Sequence, residues 1–357
     1  MEKRQSRPLF PAKPMRRKKN TRAVAVLVWG LLAFLLSQVA LNLYLDQRRP
    51  EIFDPEYQTR LKALRRRISA APDSRLLLLL GSSRTVMSFR PEVLAPLLDA
   101  AGKPVTVFNF SHVAAGPMMN LVELRRLLLD GIRPDWLVLE LMPSQMGDAS
   151  QAICLNTARF RDVPLLEEHY PAPRLYGALL RNRLLPVFKH RDHLLRQFAR
   201  SLAPAAPGPL VPIGPLGGDW SHRLFGDIDE TRRRQEIAKA RVGYFPDLQK
   251  LEMCELSCGA MRDILALCRE RQIEVTLLLT PEGPAFRSWY SEQAEANLQA
   301  YCAELGRTWG TPTLSARDWL DEADFIDSHH VILPGAEKFT RRLAREALAP
   351  WVGRPGV

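Results

Sequence analysis

The stretch "LLLLLGSSRTVMSF", Leu76 to Phe89, decides the fold of this chain. Its five consecutive leucines are too few to cross a membrane, and such a run is typical of a strand buried on both faces of a parallel sheet. The apolar run ends abruptly at Gly81, so the Gly-Ser-Ser-Arg segment is expected at the carboxyl end of a central strand. In open α/β sheets this edge is where ligands bind. We therefore expect function in the loop that follows this strand.

Strands and helices are predicted to alternate on the C-terminal side of this stretch. Alternation of this kind predicts an α/β fold, a three-layer, doubly wound parallel sheet over residues 74–350. It stops between about 146 and 246, where the proline-rich and charged sequence predicts a mostly helical insertion over the sheet edge. The predicted strands are 76–80, 105–110, 136–141, 273–280 and a short one near 312–314, and the predicted helices are 91–101, 118–129, 248–270, 292–305 and 334–349.

The N-terminal region predicts a membrane anchor. Residues 1–22 hold nine Lys or Arg against one Glu, and residues 23–45 carry no charge. At 1.5 Å per residue, an apolar helix of this length crosses about 30 Å of hydrocarbon. We expect a basic cytoplasmic tail and then an uncleaved, single-pass signal anchor, with a cleaved signal peptide as the alternative. The basic tail predicts a domain on the periplasmic side of the inner membrane, and residues 46–73 are interpreted as a juxtamembrane helix or linker.

Charge and cysteine content exclude several classes of function. The net charge of +11 is concentrated before the apolar segment, where Phe10 is the one aromatic residue, so nucleic acid is not an expected partner. The five cysteines lack paired CxxC spacing, which argues against zinc, and we expect small core residues with one disulfide left open. No metal or cofactor is expected.

Four loops with polar residues would meet at the carboxyl edge of the sheet. A serine nucleophile needs an imidazole to take its proton and a carboxylate to orient that imidazole. Asp327 and His330 stand three apart in "DFIDSHHVILPG", so the carboxylate can reach Nδ1 while Nε2 faces a serine on a neighbouring loop. Backbone N–H groups of Ser83 and Gly116 would form the oxyanion hole.

The order of these blocks resembles the SGNH (GDSL-type) hydrolase superfamily, with "GSS" where that family has Gly-Asp-Ser. The resemblance covers roughly residues 74–145 and 270–350. It implies a flavodoxin-like sheet, Ser83 as nucleophile, Asp327 as orienting acid, His330 as base, and the Ser83 and Gly116 amides as oxyanion donors.

The chain departs from that family in the third block. Where the family has Gly-x-Asn-Asp, whose Asn donates to the oxyanion, this sequence has "ELMPSQM", in which Gln145 or Ser144 would have to substitute. A membrane-tethered chain with a Gly-Ser-Ser block also resembles the SGNH-like partners of membrane O-acyltransferases. This second resemblance implies an acyl-ester or glycan substrate and a membrane O-acyltransferase as partner.

Several site residues have alternative interpretations. Ser82 competes with Ser83 as nucleophile and His329 competes with His330 as base. Arg84 either pairs with a carboxylate under the loop or binds an anionic substrate group, and Asn109 either braces its loop or contacts substrate. In "PEGPAFRSWY", Glu282, Arg287 and Trp289 form either a sugar-binding platform or a packed loop. Two histidines in "KHRDH", His190 and His193, are interpreted as a solvated helix face.

The expected function is a membrane-anchored serine esterase or acyltransferase that works through an acyl-Ser83 intermediate on an exported glycan or envelope polymer. The sequence does not separate hydrolysis from transfer. The alternative is a catalytically inactive scaffold of the same fold whose helical insertion binds a membrane or envelope partner.

Overall fold

The computed structural model describes residues 21–99, 104–147, 154–203, 213–214, 217–218 and 228–353. The predicted basic tail therefore lies almost entirely outside the described residues. So does the proline- and glycine-rich part of the predicted insertion, apart from two short strands.

The predicted parallel sheet is present, and its central strand is the leucine run. Five parallel strands lie in the order β2-β1-β3-β6-β7, and a two-residue antiparallel pair, β4 and β5, extends the sheet beside β2. Leu78 of β1 lies opposite Phe108 of β2 on one side and Leu137 of β3 on the other. The strands are β1 Arg75–Leu80, β2 Val105–Asn109, β3 Trp136–Glu140, β4 Ile213–Gly214, β5 Gly217–Gly218, β6 Glu274–Leu279 and β7 Thr313–Ser315.

The side chains of β1 alternate between two hydrophobic cores, as the pleat of a strand requires. Leu76, Leu78 and Leu80 pack into one core, and Leu77 and Leu79 pack into the other. This two-sided burial explains why a run of uninterrupted leucines forms a strand here. Helices cover both faces, so the domain has three layers.

The helices follow the predicted alternation. They are α1 Thr21–Arg48, α2 Pro50–Phe53, α3 Pro55–Ala70, α4 Ser83–Ser88, α5 Pro91–Asp99, α6 Pro117–Leu129, α7 Cys154–Thr157, α8 Val163–His169, α9 Ala172–Arg183, α10 Pro186–Lys189, α11 Arg191–Phe198, α12 Glu230–Lys250, α13 Glu255–Glu270, α14 Pro284–Arg287, α15 Glu292–Trp309, α16 Leu333–Leu343 and α17 Ala349–Val352. Residues of α3, α6, α13 and α15 pack in the first core, and residues of α5 and α16 pack in the second.

Two predicted helices have different bounds. The helix expected over 248–270 is two helices, because α12 continues through Pro246 to Lys250 and Leu251 takes the left-handed conformation (φ 39°) that ends it. The closing helix, expected as one piece over 334–349, includes a π-helical stretch, Ala344–Leu348.

One described helix, α1, is long and apolar enough to span a membrane. For residues 46–73 the sequence predicts a juxtamembrane helix or linker. The structure has the helices α2 and α3 there. Tyr57, Leu61 and Leu64 of α3 are buried in the first core, so this helix is part of the α/β domain and does not act as a spacer.

The predicted insertion is mostly helical in its described parts. It contains α7 to α11 and α12, with the β4–β5 pair between them. Leu165, Leu166 and Leu175 of this region pack in the first core, and Leu248 of α12 packs with Phe286 and Trp289. The insertion therefore shares its apolar contacts with the sheet domain.

Candidate active site

The structure brings Ser83, His330 and Asp327 together in a chain of hydrogen bonds. Ser83 Oγ lies 2.8 Å from His330 Nε2, and His330 Nδ1 lies 2.8 Å from Asp327 Oδ2. A carboxylate only accepts hydrogen bonds, so Nδ1 carries the ring proton and Nε2 accepts from the serine hydroxyl. Ser83 and His330 are partly exposed at the carboxyl edge of the sheet, so a substrate can approach them. This is the arrangement that general-base activation of a serine requires.

Asp327 is held in its charged form by its own turn. Its Oδ1 accepts hydrogen bonds from the backbone N–H of His330 at 2.7 Å and of His329 at 3.2 Å. Burial alone opposes the charge, but the His330 ring and these hydrogen bonds outweigh it and hold the pKa of the Asp327 carboxyl well below its usual range. The carboxylate is therefore ionised at neutral pH and keeps His330 in the tautomer that a base needs.

The turn that carries Asp327 and His330 is closed by contacts with another loop. Ser328 takes a left-handed conformation (φ 69°), which is uncommon for a residue other than glycine. Its Oγ accepts a hydrogen bond from Phe286 N at 2.9 Å, and its carbonyl accepts one from Gly283 N at 2.7 Å. A Cβ on Gly283 would lie 2.4 Å from Ser328 Oγ, so only glycine fits there. The loop after β6 thus holds the turn in place.

Glu140 braces the loop that carries Ser83. It is buried at the end of β3, where its Oε2 accepts from Ser82 N at 2.5 Å and from Thr85 Oγ1 at 2.7 Å. A Cβ on Gly81 would lie 2.3 Å from Thr85 Oγ1 and 2.5 Å from Glu140 Oε2. Gly81 is therefore required for the close approach of the loop to Glu140.

Ser82, the alternative nucleophile, points away from His330. Its hydroxyl accepts from Arg84 N at 3.2 Å as the N-cap of α4 and lies 3.2 Å from Met142 Sδ. The side chain is buried, so Ser83 is the serine of this pair that the geometry offers to a substrate.

The two amides proposed for the oxyanion hole begin helices. Ser83 is the first residue of α4, and Gly116 is the N-cap of α6. Among the described residues neither amide donates to a backbone or side-chain acceptor, which is the condition that oxyanion donors must meet. The loops are tied together because His112 N donates to Gly81 O at 2.9 Å.

The third block, where Gln145 or Ser144 was considered as an extra oxyanion donor, forms a 3₁₀ turn, Pro143–Gln145. Ser144 Oγ is buried and has no hydrogen-bond partner among the described residues. Neither side chain makes a described contact with Ser83.

The side chains of Arg84 and Glu282, both candidates for substrate binding from the sequence, face each other inside the protein. Arg84 Nη1 lies 3.1 Å from Glu282 Oε1, and both side chains are almost fully buried. The same guanidinium donates to the carbonyls of Thr280 and Pro281 at 3.1 and 2.9 Å. These contacts fit the structural role considered for Arg84, since a substrate cannot reach the pair in this conformation.

Two further residues that are candidates for substrate binding, Asn109 and Arg287, also make hydrogen bonds to the backbone of the loops. Asn109 is fully buried, donates from Nδ2 to Thr85 O at 3.0 Å and accepts from Ser111 N at 3.1 Å, as expected of a brace. Arg287 donates to the carbonyls of Glu282 and Arg317. Trp289 is buried, so the loop after β6 is packed and presents no open aromatic platform.

His329, the alternative base, and Tyr244, which the sequence did not single out, both line the site. The His329 ring lies 4.0 Å from the His330 ring and 4.7 Å from the Tyr244 ring of α12. Burial is the main cause that holds the pKa of His329 well below its usual range, and the nearby His330 lowers it further. The His329 ring is therefore neutral. Tyr244 lies 38 residues before Glu282 and 83 before Asp327, outside every block that signals chemistry, so nothing local in the sequence points to it.

Among the described residues, one group of three metal-ligand side chains comes together: Asp327, His329 and His330. Two of the three are the members of the hydrogen-bonded chain to Ser83. An ion bound here would therefore compete with Ser83 for His330.

One expectation outside the site needs correction. His190 was interpreted as part of a solvated helix face, but it is buried against Phe53, with ring centroids 5.3 Å apart. Burial lowers the pKa of His190 to about 4. All five cysteines are free, so no disulfide forms among them.

Comparison with known proteins gives a match over part of the chain. Residues 34–159 match the sequence model of a family described as "Protein of unknown function (DUF1574)". This range includes most of α1 and the Ser83 and Gly116 loops. A second family model, which carries no description, matches residues 247–349, the range that includes Asp327 and His330. No curated protein matches the chain.

Proposed function

We propose that this protein is a membrane-anchored serine esterase or acyltransferase with Ser83 as nucleophile. The observation that carries the proposal is the Ser83–His330–Asp327 chain, with both side-chain distances at 2.8 Å. The order of the parallel strands, β2-β1-β3-β6-β7, and the position of Ser83 after the central strand support an SGNH-type, flavodoxin-like fold.

The chemistry follows from the hydrogen bonds. Ser83 Oγ attacks the carbonyl carbon of an acyl ester while its proton passes to His330 Nε2. The negative charge that develops on the carbonyl oxygen is stabilised by the Ser83 and Gly116 amides. Collapse of this intermediate releases the alcohol, which takes the proton from His330 and leaves an acyl-Ser83 ester. Water or a sugar hydroxyl, activated by the same imidazole, then takes the acyl group.

The substrate class is proposed from topology. The helix α1 is long and apolar enough to anchor the chain, and the basic residues before it favour a cytoplasmic N-terminus at the inner membrane. The domain then lies in the periplasm, where an O-acyl group of an exported glycan or envelope polymer is available. A membrane O-acyltransferase is the partner that this position favours.

A reporter fusion tests the periplasmic position of the domain. A phosphatase that is active only outside the cytoplasm, fused to the C-terminus, is expected to be active.

Labelling by a fluorophosphonate probe tests the nucleophile. The probe reacts with activated serines, so we expect it to label the full-length protein in membranes and to fail with Ser83→Ala. The neighbouring Ser82→Ala variant serves as the matched control and should still be labelled, because Ser82 caps α4 and does not contact His330. A correctly folded wild-type protein that takes no label would favour the inactive scaffold.

A further inference from the structure

One face of α1 is covered by protein near its C-terminal end. Gln38, Asn42, Leu45 and Asp46 are at most 7% exposed. Val39, Leu43 and Tyr44, on the other faces of the same turns, are 57, 41 and 45% exposed. The covered residues recur at the three- and four-residue spacing of one helical face. They lie at the end of the apolar segment, so whatever covers them lies at the same level as that end.

The elements that cover this face of α1 belong to the helical insertion, which is held against α1 by hydrogen bonds and ion pairs. Asn42 Nδ2 donates to Arg183 O at 2.6 Å, and Arg183 donates back to Asn42 Oδ1 at 3.0 Å. Asp46 accepts from Arg183 at 3.1 Å and from Arg159 Nε at 2.9 Å. These carboxylate and guanidinium groups are buried, which makes the contact strong and directional.

The helix α11 of the insertion also contacts α1, through apolar side chains. Leu194 of α11 packs against the cluster that Leu45 of α1 forms with Ile52 and Phe53 of α2. Two separate helices of the insertion, α9 through Arg183 and α11 through Leu194, therefore lie against the last turns of α1.

The depth of this contact follows from helix geometry. The charge-free part of α1 ends immediately before Asp46, which places the boundary of the hydrocarbon near that residue. Asn42 lies four residues earlier, about 6 Å deeper at 1.5 Å per residue. The end of α9 reaches the level of Asn42, and interfacial helices bury their apolar faces about 5–10 Å into the headgroup and acyl boundary.

The surface that α9 to α11 expose suits this depth. Phe188 and Phe198 are 70 and 68% exposed, and other large apolar side chains of the segment are exposed as well. Residues 172–202 also contain one Asp and seven Lys or Arg, six of them besides Arg183, which is buried against Asp46. Aromatic side chains, with basic side chains that reach toward anionic headgroups, are typical of membrane interfaces. The other exposed apolar residues are Tyr176, Leu180, Leu184, Leu185, Val187 and Leu202.

We propose that residues 172–202, named here the interfacial segment, insert into the lipid leaflet beside the end of α1. The occupant of their apolar surface is the bilayer itself, with anionic headgroups against the basic side chains. This inference rests on the proposed anchoring by α1. It places the α/β domain directly on the bilayer, held at a second site in addition to the transmembrane helix.

Photocrosslinking in vesicles tests the proposal. The full-length chain carries the photoreactive residue p-benzoylphenylalanine at Phe188 or Phe198 and is reconstituted into vesicles of phosphatidylethanolamine and phosphatidylglycerol that contain a tagged lipid. The matched control is Val242, which is 81% exposed on α12. Val28 in α1 reports on anchoring. We expect lipid adducts at positions 188, 198 and 28 and at least tenfold less lipid adduct at 242.

The outcomes separate the two proposals. Lipid adducts at 28 without adducts at 188 and 198 would overturn the interfacial segment and leave the anchor intact. Absence of adducts at 28 would overturn the anchor. Crosslinks from 188 or 198 to a second copy of this chain, or to another protein in native membranes in place of lipid, would show that the surface is a protein interface and would refute the proposal.

Discussion

Replacement of Asp327 by asparagine is expected to reverse the tautomer of His330. Oδ1 of Asp327 accepts two backbone N–H groups, from His329 and His330. The asparagine side chain must keep its carbonyl oxygen at this position, because an amide nitrogen there would face two donors. Its NH₂ group then faces His330 Nδ1. The imidazole can accept that hydrogen bond only if its proton moves to Nε2, which would donate toward Ser83 Oγ.

The magnitude follows from this loss of the base. With the proton on Nε2, His330 cannot take the serine proton, and ionisation of the imidazole is no longer stabilised by a carboxylate. In a serine protease with a Ser-His-Asp arrangement the same change costs about 10⁴-fold in turnover, which corresponds to about 5 kcal/mol of transition-state stabilisation. The fold should survive, since asparagine has the shape of aspartate.

The assay is turnover of an activated acetyl ester by the full-length protein in detergent, together with the rate of fluorophosphonate labelling. Asp324→Asn is the matched control. Asp324 is also a buried carboxylate in the same loop, but it pairs with Lys338 at 2.8 Å. It does not contact the triad, the hydrogen-bonded Ser83, His330 and Asp327. We expect this variant to retain activity within about threefold of wild type, because a partly exposed ion pair contributes little.

Two results would refute this reasoning. Activity of Asp327→Asn within tenfold of wild type would mean that the carboxylate does not set the tautomer. An equal loss in Asp324→Asn would mean that the effect comes from disruption of the loop.

Two further predictions concern the loops of the site, and a third concerns Glu123, a buried residue of α6. Ser83→Ala and His330→Ala should each abolish most ester turnover, and the double variant should be scarcely slower than either single variant, because the residues act as one proton-transfer unit; additive losses would contradict this. Gly81→Ala should lower the free energy of unfolding by about 1–3 kcal/mol and suppress probe labelling, since its Cβ would overlap Glu140; a neutral result in denaturant titrations and labelling would contradict the contact. Burial raises the pKa of Glu123 from 4.5 to about 7, so the folded protein binds a proton that the unfolded chain has lost. The unfolding free energy should therefore fall by about 3 kcal/mol as pH rises through this range. Thermal melts at pH 5 and 8 should show that Glu123→Gln removes this dependence, and an unchanged dependence would exclude Glu123 as its source.

The elements predicted best from the sequence are those whose pattern is local. The leucine run, the long apolar helix and the Asp-x-x-His spacing each lie within a few residues to a few turns, so periodicity and composition are sufficient to recognise them. The predicted bounds were wrong where a local signal was overruled. Pro246 suggested an end to the insertion, but α12 passes through it because Tyr244 and Leu248 pack on Phe286 on either side of that residue.

The environment of the triad could not be read from the sequence in the same way. Arg84 and Glu282 are nearly two hundred residues apart, and whether they bind each other or a substrate depends on the distance between two loops. The same holds for Glu140, which braces the Ser83 loop, and for Asn42, which holds the insertion through Arg183. Burial and pairing are properties of the folded chain, because they depend on which distant side chains become neighbours.

The sequence by itself therefore determined the class of the fold, the strand that leads to Ser83, the presence of a long apolar helix and the identity of the three residues in the hydrogen-bonded chain. These follow from short-range rules of hydrophobic period and of reactive groups at strand ends. The tertiary structure alone decided that Ser82 is a helix cap, that Arg84 pairs with Glu282 inside the protein, and that the insertion packs against the end of α1. Each of these depends on long-range packing of loops that the chain order separates.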